Sequence, residues 1–222
     1  MSTVLVIGAS RGIGLEFVRQ CREAGDAVIA TARDDAGLAR IEALGAKSLR
    51  IDVQDAKSIS GLGWQLDGET IDVALFVAGV MSRGGATQAP SQDDFDRVIR
   101  TNVWGAMQAM VQVAPLVAEA KGKFVFISSR MGHIAGVESS YSWVYRASKS
   151  ALNMAVASAQ HDYPAATLVA MSPGWVRTDM GGAGAPLTVE RSVASMREAI
   201  AGLSDAHRGQ FLDYDGRRFD GW

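Results

Sequence analysis

Short runs of β-branched and apolar residues recur along the chain: TVLVI (Thr3 to Ile7), AVIAT (Ala27 to Thr31), SLRIDV, DVALFV, KFVFIS, TLVAMS and QFLDY. Each is separated from the next by a stretch long enough for a helix, which predicts a succession of βαβ units. Several runs are apolar at nearly every position, as expected of a parallel sheet covered on both faces rather than one with a wet side. Helices are expected from Gly12 to Ala24, from Ser91 onward, from Tyr145 to about Ala159, and after Thr188 as an N-cap. The Ser91 helix opens SQDDFDR, a capping serine with acids in the first turn, where the helix dipole favours them. Pro115 is expected to kink its later part. SISGLGWQLDGET carries three glycines and is the weakest of the helical stretches. No internal repeat, low-complexity tract or linker interrupts the pattern, so residues 1–222 read as one α/β domain with a doubly wound parallel sheet of about seven strands.

Composition narrows the function. With 48% hydrophobic residues, 21% charged residues and a net charge of −2, the 222-residue chain can bury a sizeable core. No Lys/Arg run offers a footprint for nucleic acid or an anionic membrane surface. The N-terminus has no basic leader, and no apolar stretch approaches the ~20 residues of a membrane span, so a cytoplasmic location is expected. A single cysteine, Cys21, leaves no internal disulfide, and histidines only at His133, His161 and His207 leave no metal-ligand spacing. Cys21 sits among Phe17, Val18 and Ala24 and reads as core.

Between the first strand and the first helix lies GASRGIG, residues Gly8, Ala9, Ser10, Arg11, Gly12, Ile13 and Gly14. A glycine-rich turn there lets backbone N–H groups approach a pyrophosphate at a helix N-terminus, the signature of a Rossmann-type dinucleotide site. Its spacing is G-x-x-x-G-x-G rather than the commoner G-x-G-x-x-G. A carboxylate at the end of the second strand would select NAD. Here the chain reads ATARDD, with Arg33 at that point and Arg11 nearby, which favours NADP, although Asp34 and Asp35 follow at once.

YSWVYRASK poses the question of proton chemistry, since Tyr141, Tyr145 and Lys149 are spaced four apart. A tyrosine's pKa of about 10 is poorly matched to neutral pH, and a nearby cation lowers it. Tyr145 and Lys149, one helical turn apart, supply that geometry, whereas Tyr141 sits among Ser139, Ser140 and Ser142 in what reads as loop.

Taken in order, GASRGIG, TNVWG, FISS, YRASK and SPGWVRTDM resemble the short-chain dehydrogenase/reductase family over essentially the whole chain. ISSRMG, YRASKSALNM, PGWVRTDMGG and the closing FLDYDG resemble its branch of small carbonyl reductases similar to the C-factor signalling protein. The resemblance implies Tyr145 as acid/base and Lys149 as holder of the nicotinamide ribose and depressor of the tyrosine pKa. It also implies Ser129, with Ser128 as runner-up, bonding the substrate oxygen, and Asn102 ordering a water relay to Lys149. Cofactor contacts carry over to Asp52, Val53, Ala78, Gly79, Pro173, Gly174, Val176 and Thr178. Two departures stand out: Phe76-Val77-Ala78-Gly79 replaces the family's Asn-Asn-Ala-Gly, and the interval from Ser129 to Tyr145 is long. Met131, His133, Tyr141, Trp143, Trp175 and Met180 are candidates for an apolar, aromatic substrate wall. The implied protein is an NADP-dependent reductase of small or medium carbonyl compounds, a homodimer or homotetramer through its two long helices. The rival reading is a dinucleotide-binding sensor without turnover.

Overall fold

A computed structural model describes residues 1–222. Strand β1 (Thr3–Ile7) leads to α1 (Gly12–Glu23), β2 (Ala27–Ala32), α2 (Asp35–Ala43) and β3 (Lys47–Arg50). Two short helices, α3 (Ala56–Ser60) and α4 (Leu62–Gln65), precede β4 (Val73–Phe76). Then come α5 (Gln92–Ile99), a π-helical turn at Arg100–Trp104, α6 (Gly105–Glu119), β5 (Lys123–Ile127) and α7 (Trp143–Ala159). The chain ends with β6 (Thr167–Met171), α8 (Val189–Ala201) and β7 (Phe211–Leu212). All seven strands pair in parallel in the order β3-β2-β1-β4-β5-β6-β7. The order reverses between β1 and β4, the point at which an open α/β sheet leaves a crevice beyond its carboxyl ends.

Alternation along β1 divides the core. Leu5 and Ile7 pack with Phe76, Phe124 and Phe126 against Met110 and Val113 of α6 and Leu152 of α7. Val4 and Val6 pack on the other face with Phe17, Val18 and Cys21 of α1 and Val193 and Met196 of α8. Cys21 is therefore core, and burial pushes its thiol pKa up, away from reactivity.

The caps follow the chemistry of the sequence. Ser91 Oγ accepts from the Asp94 N–H at 3.2 Å, and Thr188 Oγ1 accepts from the Arg191 N–H at 3.2 Å. Three details differ from expectation. The glycine-rich stretch forms two one-turn helices broken at Gly61 rather than one helix. The run expected from Ser91 is interrupted by an irregular turn at Arg100–Trp104, around Asn102, and α6 carries Pro115 within it to Glu119. The third is α2, which lacks a strong apolar period; Asp34 starts it by accepting from the Gly37 N–H at 2.7 Å. No helix is long and apolar enough to cross a membrane.

Candidate active site

The crevice at the switch point is a cleft of about 610 Å³, within the ~300–1,000 Å³ usual for small-molecule sites. Its head is the turn between β1 and α1. Gly8 adopts φ +92°, and a Cβ there would lie 2.6 Å from the Ala78 backbone nitrogen. A Cβ on Gly14 would lie 2.2 Å from the Gly8 carbonyl oxygen, so neither position admits a side chain. Thr31 Oγ1 accepts from the Gly8 N–H at 3.0 Å and holds the turn to β2. Arg11, the N-cap of α1, makes no side-chain cap, which leaves the first N–H groups of that helix directed at the cleft. This is a cradle for an anionic group that approaches backbone rather than side chains. A dinucleotide diphosphate fits it.

Of the cofactor contacts expected from sequence, Gly8, Ser10, Arg11, Gly12, Ile13, Gly14, Arg33, Asp52, Val53, Ala78, Gly79, Tyr145, Lys149, Pro173 and Thr178 all border the cleft. Gly174 and Val176 do not. Gly174, at φ +78°, turns the chain with Leu187 and Tyr214 against it, and Val176 is buried and bridges Leu187. Both lie behind the wall they support.

The acids that cast doubt on cofactor choice each have a protein partner. Asp34 caps α2, and Asp35 pairs with Arg50. Arg33 stays exposed at the cleft, 4.0 Å from Asp34. Arg11 also borders the cleft, and its Nη1 makes an exposed pair with Asp179 Oδ2 at 2.9 Å that joins the glycine turn to the segment after β6.

At the floor, α7 begins at Trp143, which puts Tyr145 inside the helix and Tyr141 before it. Tyr141 precedes the helix, half exposed, and its carbonyl accepts from Arg146 Nε at 2.9 Å. Tyr145 is buried and shares a helix face with Lys149, whose Nζ lies 5.6 Å from the centre of the Tyr145 ring. Lys149 Nζ donates to the Ile127 carbonyl at 2.8 Å. Ser129 faces Tyr145 and also accepts from the Met131 N–H at 3.1 Å. Ser128 borders the cleft, but its hydroxyl donates to Asn153 Oδ1 at 2.6 Å, which commits it to the core.

Asn102 is fully buried in the π-helical turn. Its side chain brackets Val80, accepting from the N–H and donating to the carbonyl, each at 2.8 Å, and donates to Ser148 Oγ at 2.9 Å. A Cβ on Gly79 would stand 3.5 Å from both Asn102 Oδ1 and Lys149 Nζ. Gly79 thus keeps open the space beside the lysine. No side-chain amide replaces the missing Asn-Asn pair; the Val77 and Ala78 N–H groups both donate to the Ile7 carbonyl, at 2.8 and 3.0 Å.

The electrostatics correct one expectation. Burial raises the Tyr145 pKa to about 12, offset in part by Ser129, and lowers that of Lys149 to about 7. Without a nucleotide in the cleft, burial outweighs any lowering of the Tyr145 pKa by Lys149. Both side chains have left water, the uncharged form of each is favoured, and the ammonium is aimed at the Ile127 carbonyl rather than the phenol oxygen.

The proposed substrate wall is only partly assembled. Met180 borders the cleft; Met131, Tyr141, Trp143 and Trp175 lie outside it. Trp175 Nε1 donates to the Gly181 carbonyl at 2.9 Å and pins its own turn. His133 faces away: its Nε2 is 2.8 Å from the Asp220 carbonyl oxygen and its ring packs on Phe219 at 5.1 Å. It serves the C-terminal segment instead of the pocket. Sequence reasoning missed Thr31, Arg40, Arg177 and Asp179, all on the cleft. Thr31 was the one with a signal, a hydroxyl ending a buried strand beside a glycine turn.

Comparison with known proteins agrees with this geometry. Residues 2–185 match the short chain dehydrogenase family model. The C-signal protein of Myxococcus xanthus is 36% identical over 149 residues, 66% of this chain and 90% of that protein. Among solved structures, the carbonyl reductase Sniffer of D. melanogaster superposes with a TM-score of 0.92 at 28% identity, covering 100% of both chains. A short-chain dehydrogenase/reductase from Burkholderia multivorans with bound NADP gives 0.88 at 31% identity, covering 100% of this chain and 99% of that one. With a seven-stranded parallel sheet in that order, a glycine cradle at its switch point and a family match over most of its length, the chain belongs to the short-chain dehydrogenase family of oxidoreductases.

Proposed function

We propose that this protein is an NADP(H)-dependent carbonyl reductase in which Tyr145 is the proton donor. The observation that carries the reading is the buried Tyr145, faced by Ser129 and followed one turn on by Lys149, at the floor of a cleft headed by the glycine cradle. A reduced nicotinamide bound in the cleft would supply the hydride to the carbonyl carbon. Tyr145, held neutral by burial, gives its hydroxyl proton to the carbonyl oxygen, so that alcohol forms without a free oxyanion. Ser129 donates a hydrogen bond to that oxygen and steadies the charge that develops on it. Lys149, beside the space next to Gly79, holds the ribose side, and Asn102 orders the water relay to Lys149 through which solvent restores the tyrosine's proton.

The NADP assignment rests on Arg33 at the end of β2, exposed at the cleft with Asp34 capping α2 and Asp35 paired to Arg50, and on the NADP bound by the Burkholderia relative. Arg33→Asp is expected to weaken NADPH binding roughly tenfold or more, the worth of one charge-assisted hydrogen bond, and to leave NADH equal or better. Fluorescence titration with each nucleotide measures this, and no change in either affinity would place Arg33 in solvent. The same titration, followed by a panel of aldehydes, ketones and diketones, tests the reductase itself: nucleotide oxidation on some carbonyl supports it, and binding without turnover would favour the signalling role suggested by the relative named C-signal.

We also propose that the protein forms a homodimer or homotetramer through α6 and α7. Met107 and Val111, four apart on α6, and Met154 on α7 stand 47, 67 and 62% exposed. Light scattering at micromolar concentration should give a multiple of the 23.5 kDa chain mass, and a monomer mass would remove the assignment.

A further inference from the structure

We propose that Asn153 is a positioning residue that decides which of two adjacent serines meets the substrate oxygen: it draws the Ser128 hydroxyl into the core and anchors the segment that presents Ser129. This rests on the reductase reading above and names what holds that site in shape. Asn153 follows Tyr145 by eight residues and Lys149 by four, so all three lie along one face of α7. It is 2% exposed. Its Oδ1 accepts from Ser128 Oγ at 2.6 Å, and its Nδ2 reaches the Gly132 carbonyl at 3.5 Å. The same carbonyl accepts from Ser150 Oγ at 2.9 Å. The helix that carries the proton donor thus grips Ser128 and Gly132, the two ends of the segment that carries Ser129.

The packing leaves that segment no slack. A Cβ on Gly132 would lie 2.8 Å from both the carbonyl carbon and the Cβ of Lys149, so only glycine lets the chain lie this close to α7. Between the two anchors Ser129 opens the one-turn helix Arg130–Gly132 by accepting from the Met131 N–H, and its hydroxyl faces Tyr145. Ser128 needs the restraint because it borders the same cleft while only 2% exposed. A buried hydroxyl deprived of its acceptor turns to the next one within reach, and the cleft offers the substrate oxygen. Asn153 removes that competition.

The experiment compares Asn153→Leu, Asn153→Asp, Ser128→Ala, Ser129→Ala and the double variant Ser128→Ala/Asn153→Leu with the wild type on one carbonyl that the wild type reduces. Each is titrated with NADPH, so that kcat is expressed per nucleotide-binding site, and the carbonyl KM is read alongside. Asn153→Leu is expected to lower kcat per site roughly tenfold, the worth of about one hydrogen bond, with NADPH affinity kept. The double variant removes the stranded hydroxyl as well and should recover most of that loss, since replacing both partners by apolar groups can be nearly neutral. Asn153→Asp keeps the acceptor for Ser128 and should retain most of kcat, which decides the matter even where the leucine variant fails to fold. Ser129→Ala should lose roughly 100-fold or more, well beyond Ser128→Ala. Unchanged kcat per site in Asn153→Leu, whatever its melting temperature, would make Asn153 a packing residue and overturn the proposal. So would a double variant no better than Asn153→Leu, an aspartate variant that loses tenfold, or a Ser128→Ala loss equal to that of Ser129→Ala. Each of these leaves the wild-type reductase standing, whereas a wild type that oxidises NADPH on no carbonyl would remove the reductase reading and this inference with it.

Discussion

Tyr145→Phe is expected to reduce turnover on any carbonyl substrate by roughly 100- to 10,000-fold, the usual contribution of a positioned general acid, with NADPH affinity retained. The change removes one oxygen from a buried ring and fills the same space, so the α7 backbone and the packing around it have no reason to move. The hydroxyl faces Ser129, which is only half-buried and keeps the Met131 N–H on its Oγ, so losing the phenol strands no fully buried group. Loss of kcat with an unchanged nucleotide dissociation constant is the signature to look for. Unchanged kcat would place the proton donor elsewhere, and loss of nucleotide binding in parallel would make the ring a packing residue rather than an acid.

What could be read without coordinates follows from which forces are local. Strand runs, the glycine turn, and the caps at Ser91 and Thr188 depend on neighbours in sequence, and each stands where its residues place it. Tyr145 and Lys149 were legible because helical spacing alone sets their proximity. The charge partners were not. Arg11 meets Asp179 across 168 residues, and Arg40 reaches the glycine turn from a helix whose start is marked only by Asp34 and whose closeness needs Gly37. His133 lies in the expected stretch but turns to Phe219 and Asp220, a contact between a loop and the end of the chain that no spacing announces. The direction of the Tyr145 pKa in the nucleotide-free chain is hidden from sequence for a related reason. A cation at i+4 reads as an attractive partner, yet burial acts on both groups, and its sign depends on depth that sequence does not show.

That depth makes stability itself depend on pH in a way that isolates Lys149. Its pKa is 10.5 when exposed in the unfolded chain and about 7 in the folded one. Between those values the unfolded state binds the proton and the folded state does not, so stability rises with pH from about 7 to about 10.5, and this contribution is lost as pH falls through 7. The whole window corresponds to a few kcal/mol, on the order of 3–5. Tyr145 acts with the opposite sign at higher pH, since its folded pKa of about 12 exceeds the ordinary 10, and stability it contributes below pH 10 fades as pH rises through 12. Lys149→Met keeps the length of the side chain without the charge. Urea unfolding of the nucleotide-free protein at several pH values from 6.5 to 9.5 should therefore show wild type gaining on the variant as pH rises, while every other titrating group cancels in the comparison. Parallel curves would mean that Lys149 keeps its proton when folded, and with it that a cation does stand beside Tyr145 at neutrality. Converging curves would mean that the free protein holds a neutral Tyr145 beside a readily deprotonated lysine, so that the tyrosine stands ready to donate in reduction, whereas alcohol oxidation would first have to ionise it.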